Sequence, residues 1–231
     1  MGTGMFSSHT AQCGKSMKLT EALEADDAVL RELHHRLRNN FQMISSLVSL
    51  QARALPDDRK GELRFVEEHV QAMAAAYRVV RVSERAVNVV LAELVTDAVN
   101  SLRQIAEQPR DAVALELATG SCVMRIDRAI TMGLYLATLV PPYLDRATLG
   151  DGKLRIAIAP LDATWVRLSV TQLGTISQPR PNLLRQRLAK IYLHQLGAEV
   201  EAAAEPFTIG VRIHVPPPPA TGEWSGAVGA R

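Results

Sequence analysis

The stretch Glu32-Leu33-His34-His35-Arg36-Leu37-Arg38-Asn39-Asn40-Phe41-Gln42 lies inside a longer run, Leu19 to Leu55, that contains neither glycine nor proline. Residues with good helix propensity dominate that run. Its apolar side chains Leu30, Leu33, Leu37, Phe41, Ile44 and Val48 recur at spacings of three and four, which predicts an amphipathic helix. At about 100° per residue they gather on one arc, with His34 roughly 60° from its centre and His35 about 160° away. His34 therefore flanks the apolar stripe, and His35 points to solvent.

Working outward, Pro56-Asp57-Asp58 and Gly61 mark a turn. A second helical pattern comes next in Leu63, Val66, Val70, Met73, Tyr77 and Val80, a coiled-coil-like seam. Two long helices joined by a short turn form an antiparallel hairpin. One hairpin cannot cover its own stripe, so a second copy is expected to complete a dimeric four-helix bundle.

The pattern turns mixed near residue 88. Val89–Ile105 reads as a helix, Asp111–Leu117 and Cys122–Ile126 as strands, and Ala129–Leu139 as a helix ended by a double proline. Lys153–Ala159 and Trp165–Val170 alternate as a strand pair, Asn182–Leu196 is a helix stopped by Gly197, and Glu199–Ala203 pairs with Phe207–Val215. The fold class is α+β, a helical hairpin followed by an α/β sandwich with helices on one face of a sheet. The expected divisions are an irregular start at 1–17, the hairpin at 18–87, the sandwich at 88–215 and a proline-led tail at 216–231.

Composition narrows the function. Twenty-six basic against 24 acidic residues leave a net charge of +2, and aromatics make up 4%. Neither a nucleic-acid binder nor a membrane-surface binder is indicated. Cys13 and Cys122 form no metal-ligand spacing, so no metal site is expected. The longest charge-free stretch, Ala129–Leu144, is too short to span a bilayer and contains Pro141 and Pro142. With no signal-peptide layout at the start, a cytoplasmic protein is expected.

A solvent-facing histidine beside Arg36 and Arg38 is either an ordinary surface residue or a nucleophile toward phosphorus, since neutral imidazole prevails near pH 7 and guanidinium groups pair with phosphoryl oxygens. Spacing alone does not choose. The run LRELHHRLRNNFQMISSLVSLQAR, however, closely resembles the phosphoacceptor helix of bacterial histidine kinases whose box reads Glu-hydrophobic-His-His-Arg-hydrophobic-Lys/Arg-Asn-Asn-hydrophobic-Gln. The second-helix segment VQAMAAAYRVV continues the likeness to that dimerisation and histidine-phosphotransfer domain. The resemblance makes His35, the histidine directly before arginine, the phosphoacceptor.

The same resemblance implies an ATP-binding domain, and there the pattern fails. Gly133-Leu134-Tyr135-Leu136-Ala137-Thr138-Leu139-Val140-Pro141-Pro142-Tyr143 fits the family's Gly-Leu-x-x-Asn-Glu-Leu-x-x-Asn-Ala helix, with Ala137 and Pro142 in place of the two asparagines and Thr138 in place of the glutamate. In the Asp-x-Gly-x-Gly frame Gln172 replaces the adenine-binding aspartate and Ile176 the second glycine. The glycine-rich phosphate turn reads Pro181-Asn182-Leu183-Leu184-Arg185, without a glycine. The resemblance thus implies a degenerate ATPase-like domain that binds no ATP. It points to a histidine phosphotransferase of a two-component phosphorelay, accepting a phosphoryl group on His35 from a receiver's aspartyl phosphate and passing it to another response regulator. Magnesium is then supplied by the receiver, and a hybrid kinase or other phosphodonor lies upstream.

Neighbouring residues carry weaker expectations. Arg36 and Arg38 contact phosphoryl oxygens or receiver carboxylates, or are solvated charges. Asn39 bonds the phosphoryl group, and Asn40 falls near the seam. Glu32 orients an imidazole or forms an i,i+4 pair with Arg36, while His34 supports and His69 packs at the core edge. The competing functions are a response-regulator-binding module without chemistry, a receiver phosphatase, and an active kinase.

Overall fold

The computed structural model describes residues 32, 35–37, 39–44, 46–51, 60–83, 86–119, 122–145, 149–174, 179, 182–202 and 208–215. The described residues of 32–51 are helical (α1). α1 runs beside α2 (Lys60–Arg78), where Phe41 stacks on Tyr77 with ring centroids 4.9 Å apart and Ser49 donates a hydrogen bond to Glu67. The expected hairpin turn at 56–58 lies outside the described residues, as do the two tails.

α2 carries two apolar faces. Leu63, Val66, Val70, Met73 and Tyr77 are half-buried or exposed, whereas Ala72, Ala74, Ala75 and Ala76 are buried. The alanine side packs on α3 (Leu91–Ile105) and α4 (Ile126–Leu139). Close approach needs small residues: a Cβ added at Gly133 of α4 would lie 2.7 Å from the Ala72 carbonyl oxygen. The second helix of the hairpin is therefore part of the core of the sandwich domain.

The seam expected to reach Val80 stops at Tyr77, because a strand hairpin intervenes. β1 (Val80–Ser83) pairs antiparallel with β2 (Ala86–Val90), and β2 pairs with β4 (Val123–Arg125). The helix expected from Val89 starts at Leu91; the β-branched Val89 and Val90 complete β2 instead. This strand hairpin straddles residue 88, where the composition shifts.

The second sheet runs β3-β5-β6-β8-β7, with β3 (Val113–Leu117) parallel to β5 (Lys153–Pro160) and all other pairs antiparallel. β6 is Trp165–Leu173, β7 Glu199–Glu201 and β8 Thr208–His214. Alternation puts Leu154, Ile156, Ile158, Leu168, Val170, Val211 and Ile213 on the core face, and burying a side chain of this size contributes about 1.5–3 kcal/mol. Arg167 and Glu201 pair at 2.8 Å on the other face.

After α4, Pro141 and Pro142 begin the short helix α5 (Pro141–Leu144), since proline fits a first helical turn. α6 (Leu183–Leu196) starts where the Asn182 side chain accepts a hydrogen bond from the Arg185 backbone N–H. It ends at Gly197, whose φ of 58° permits a Schellman closure: Gly197 N–H donates to His194 and Ala198 N–H to Leu193. Arg128 of α4 donates to the carbonyls of Leu196 and His214, tying α4 to the ends of α6 and β8.

Candidate functional site

On α1, His35 is exposed, as the periodicity predicts. Its Nδ1 lies 3.4 Å from Asn39 Nδ2, one helical turn along. The exposed Glu32 and Arg36 pair at 2.6 Å, and hydrogen bonding to Arg36 holds the Glu32 carboxyl below its ordinary range. That is the i,i+4 pair with arginine. Asn40 is exposed, clear of the half-buried Phe41. His34 and Arg38 lie outside the described residues.

Of the residues read as the altered nucleotide positions, Ala137, Thr138 and Gln172 are buried and Pro142 is half-buried. Ala137 is fully buried on α4, and its carbonyl accepts a 2.8 Å hydrogen bond from Arg185 Nη1. Thr138, also buried, donates to the Leu134 carbonyl at 2.8 Å and sits 3.4 Å from His69 Nε2. Pro142 occupies the first turn of α5, and Gln172 is buried in β6 opposite Leu154. Ile176 lies outside the described residues. Ala137 has a methyl and Pro142 a ring where Mg2+ would require oxygen ligands, so the side-chain oxygens at these altered positions are those of Thr138 and Gln172. Among the described residues no three His, Cys, Asp or Glu side chains converge as metal ligands.

α2 and α6 meet at this place. Glu68 of α2, 2% exposed, holds Arg185 Nη2 at 2.5 Å through Oε2 and Arg64 Nε at 3.3 Å through Oε1. The Arg185 guanidinium also lies 5.0 Å over the Phe65 ring. Burial pushes the Glu68 carboxyl above its ordinary range, against the pull of Arg185 and Arg64. His69 donates from Nδ1 to the Phe65 carbonyl at 2.8 Å, and its Nε2 lies 3.4 Å from the Thr138 oxygen, whose hydrogen goes to the Leu134 carbonyl. Burial holds the His69 imidazole below its usual range. His69 is thus half-buried at the core edge, as expected, but it also touches the altered site.

Sequence reading missed Glu68 and Arg185 as partners, since they stand 117 residues apart. The available cue was Glu68 itself, an acid one turn before Ala72 on the alanine face of α2. Cys122 is half-buried with its thiol pushed up by burial, which disfavours a reactive thiolate.

This arrangement, an exposed histidine on a helix pair packed on α3 and α4, with a mixed sheet beyond, can be compared with known proteins. Residues 32–106 match the family model described as histidine kinase. Two solved structures share the fold. The histidine kinase domain from Erythrobacter litoralis EL346 blue-light activated histidine kinase aligns with a TM-score of 0.50 and 18% identity over 82% of this chain and 94% of that one. The longer Erythrobacter litoralis EL346 blue-light activated histidine kinase aligns with a TM-score of 0.52 and 14% identity, over 78% of this chain and 59% of that one. No curated protein sequence matches. The chain has a histidine-kinase-like fold, and the family match over residues 32–106 supports a two-component signalling protein. No helix among the described residues is long and apolar enough to cross a membrane.

Proposed function

We propose that the chain is a histidine phosphotransferase of a two-component phosphorelay that takes its phosphoryl group from the aspartyl phosphate of a receiver domain and not from ATP. One observation carries the reading: His35 stands open to solvent on α1, while Ala137, Thr138 and Gln172 are buried and the Ala137 carbonyl is held by Arg185, which also pairs with Glu68. The phosphoacceptor is retained and the phosphodonor site is not.

In the step proposed, the lone pair of His35 Nε2 attacks the receiver's phosphorus in line. The N–P bond forms as the bond from phosphorus to the aspartate oxygen breaks, and the carboxylate leaves with that electron pair. The second regulator reverses the exchange. Both phosphoryl links are labile, so alignment matters more than driving force. Attack from Nε2 requires the ring proton on Nδ1. A half-turn of the Asn39 amide presents Oδ1 there to accept that proton, so Asn39 is assigned to holding the reactive tautomer. Arg36 and Arg38 are assigned to phosphoryl or receiver contacts, and the receiver's own acidic pocket supplies Mg2+.

The exposed Met43, Ile44, Leu47 and Leu50 of α1, each at least 43% accessible in the single chain, support a homodimer joined through the hairpins. The test is transfer of label from a receiver phosphorylated on aspartate. Acid-labile label is expected on wild type and absent from His35→Ala. Stable binding of the receiver without transfer would instead favour a sequestering module, and loss of label to water a phosphatase.

A further inference from the structure

The buried carboxylate of Glu68 pairs with Arg185, a residue that the resemblance sets in the frame of a nucleotide's phosphate turn. Arg185 belongs to the segment Pro181–Arg185 that stands in the frame of the glycine-rich phosphate turn, and lies in the first turn of α6. Its guanidinium joins two helices, donating to the Ala137 carbonyl of α4 and to Glu68 of α2. A second cation, Arg64, faces the other carboxylate oxygen. A negative group near the start of a helix, held by two guanidinium groups, is the electrostatic pattern of a bound phosphate. Here the anion comes from the chain itself. We propose that Glu68 is a built-in anionic ligand, a latch that fills the former phosphate position and fastens the hairpin's second helix to the sandwich domain.

The packing around the pair fits a latch and not an isolated surface bridge. Glu68 is 2% exposed and the Arg185 side chain 15%, and Phe65 covers the guanidinium face. One turn further along α2, Ala72 meets Gly133 with no room for a methyl group. The latch makes nucleotide exclusion twofold: the oxygen donors are gone from α4, and the remaining cationic site is internally satisfied. Restoring asparagine at 137 and glutamate at 138 would therefore not by itself restore nucleotide binding. The latch also fixes the sandwich on the hairpin, so an arriving receiver meets one rigid surface.

The latch rests on the reading of α4 and α6 as a former nucleotide cleft. Its test uses the full chain, thermal unfolding as readout and tripolyphosphate as probe. Wild type is expected to show no shift. Glu68→Ala leaves Arg185 and Arg64 facing a hole; its melting temperature is expected to fall, then to rise as tripolyphosphate is added, and Glu68→Ala/Arg185→Met is expected to lose that rescue. If Glu68→Ala does not fold alone, tripolyphosphate must restore its helical circular dichroism. Absence of rescue, or an equal rise in all three chains, overturns the latch. Mg·ATP offered to wild type separates the two ideas. Binding there overturns both the latch and the ATP-independent reading, whereas failed rescue with wild type silent toward ATP removes the latch alone.

Discussion

Replacing Gly133 by alanine probes the docking of α2 on α4 with a single methyl group. A Cβ at Gly133 would lie 2.7 Å from the Ala72 carbonyl oxygen and 3.3 Å from its carbonyl carbon, both backbone atoms that cannot swing aside. Reaching ordinary contact needs a relative shift of the two helices by roughly 0.5–0.7 Å, which loosens the neighbouring dispersion contacts. Overpacking of this kind costs about 1–3 kcal/mol. Alanine in a helix interior returns about 1 kcal/mol of propensity, so the net expectation is a loss of about 1 kcal/mol, up to about 2. Gly61, in the first turn of α2, is the control, because a Cβ added there would meet nothing within 4 Å. Gly61→Ala should gain a few tenths of a kcal/mol, since only propensity changes. Urea unfolding followed by circular dichroism, at one protein concentration because dimerisation would couple to folding, should place Gly133→Ala clearly below wild type. If Gly133→Ala matches Gly61→Ala or exceeds it, the two helices do not meet at Gly133 and the reasoning is refuted.

Other expectations come from the same contacts. Arg185→Met should cost about 3 kcal/mol, the low end for breaking a buried pair because Arg64 still faces one Glu68 oxygen, while Glu68→Met/Arg185→Met should return to within about 1 kcal/mol of wild type; a double variant less stable than Arg185→Met in urea titrations contradicts this. Phe41→Ala should weaken the hairpin by about 1–2 kcal/mol through loss of its stack on Tyr77, measured by thermal unfolding, with no change meaning that the rings do not pack. His69, held by burial below the ordinary 6.5, should contribute stability above pH 6.5 that drains as pH falls through that value toward its folded-state value, because the unfolded chain takes up the proton first. His69→Gln should therefore flatten the wild-type decline between about pH 7.5 and 5.5, and parallel profiles would refute it. Glu68, pushed above 4.5, works in the opposite sense, its contribution fading as pH rises through the folded-state value. Glu68 is common to both chains in that comparison.

Local patterns were legible where one face meets solvent and the other a core. The three-and-four spacing of α1 placed His35 outward, the alternation of β5 and β6 gave their pairing, and Asn182 and Gly197 marked both ends of α6. The strand hairpin β1–β2 was missed because its short valine-rich segments continue the apolar periodicity of the flanking helices. The second face of α2 was missed because it is made of alanines, whose small apolar surface gives little hydrophobic signal even though Ala72, Ala75 and Ala76 are fully buried. An acid on the alanine face of α2 was a cue to Glu68 but not to its partner, because the pairing with Arg185 depends on α6 folding back onto α2. His214 is similar, gaining the Trp165 ring as a partner, with centroids 5.1 Å apart, only through the pairing of β6 and β8.

The most direct measurement of the central claim offers the wild-type chain two phosphoryl donors side by side, γ-labelled ATP with magnesium and a receiver already labelled on its aspartate. Label is expected on His35 from the receiver and none from ATP over the same time. Label from ATP that vanishes in His35→Ala would make the chain a kinase and contradict the account.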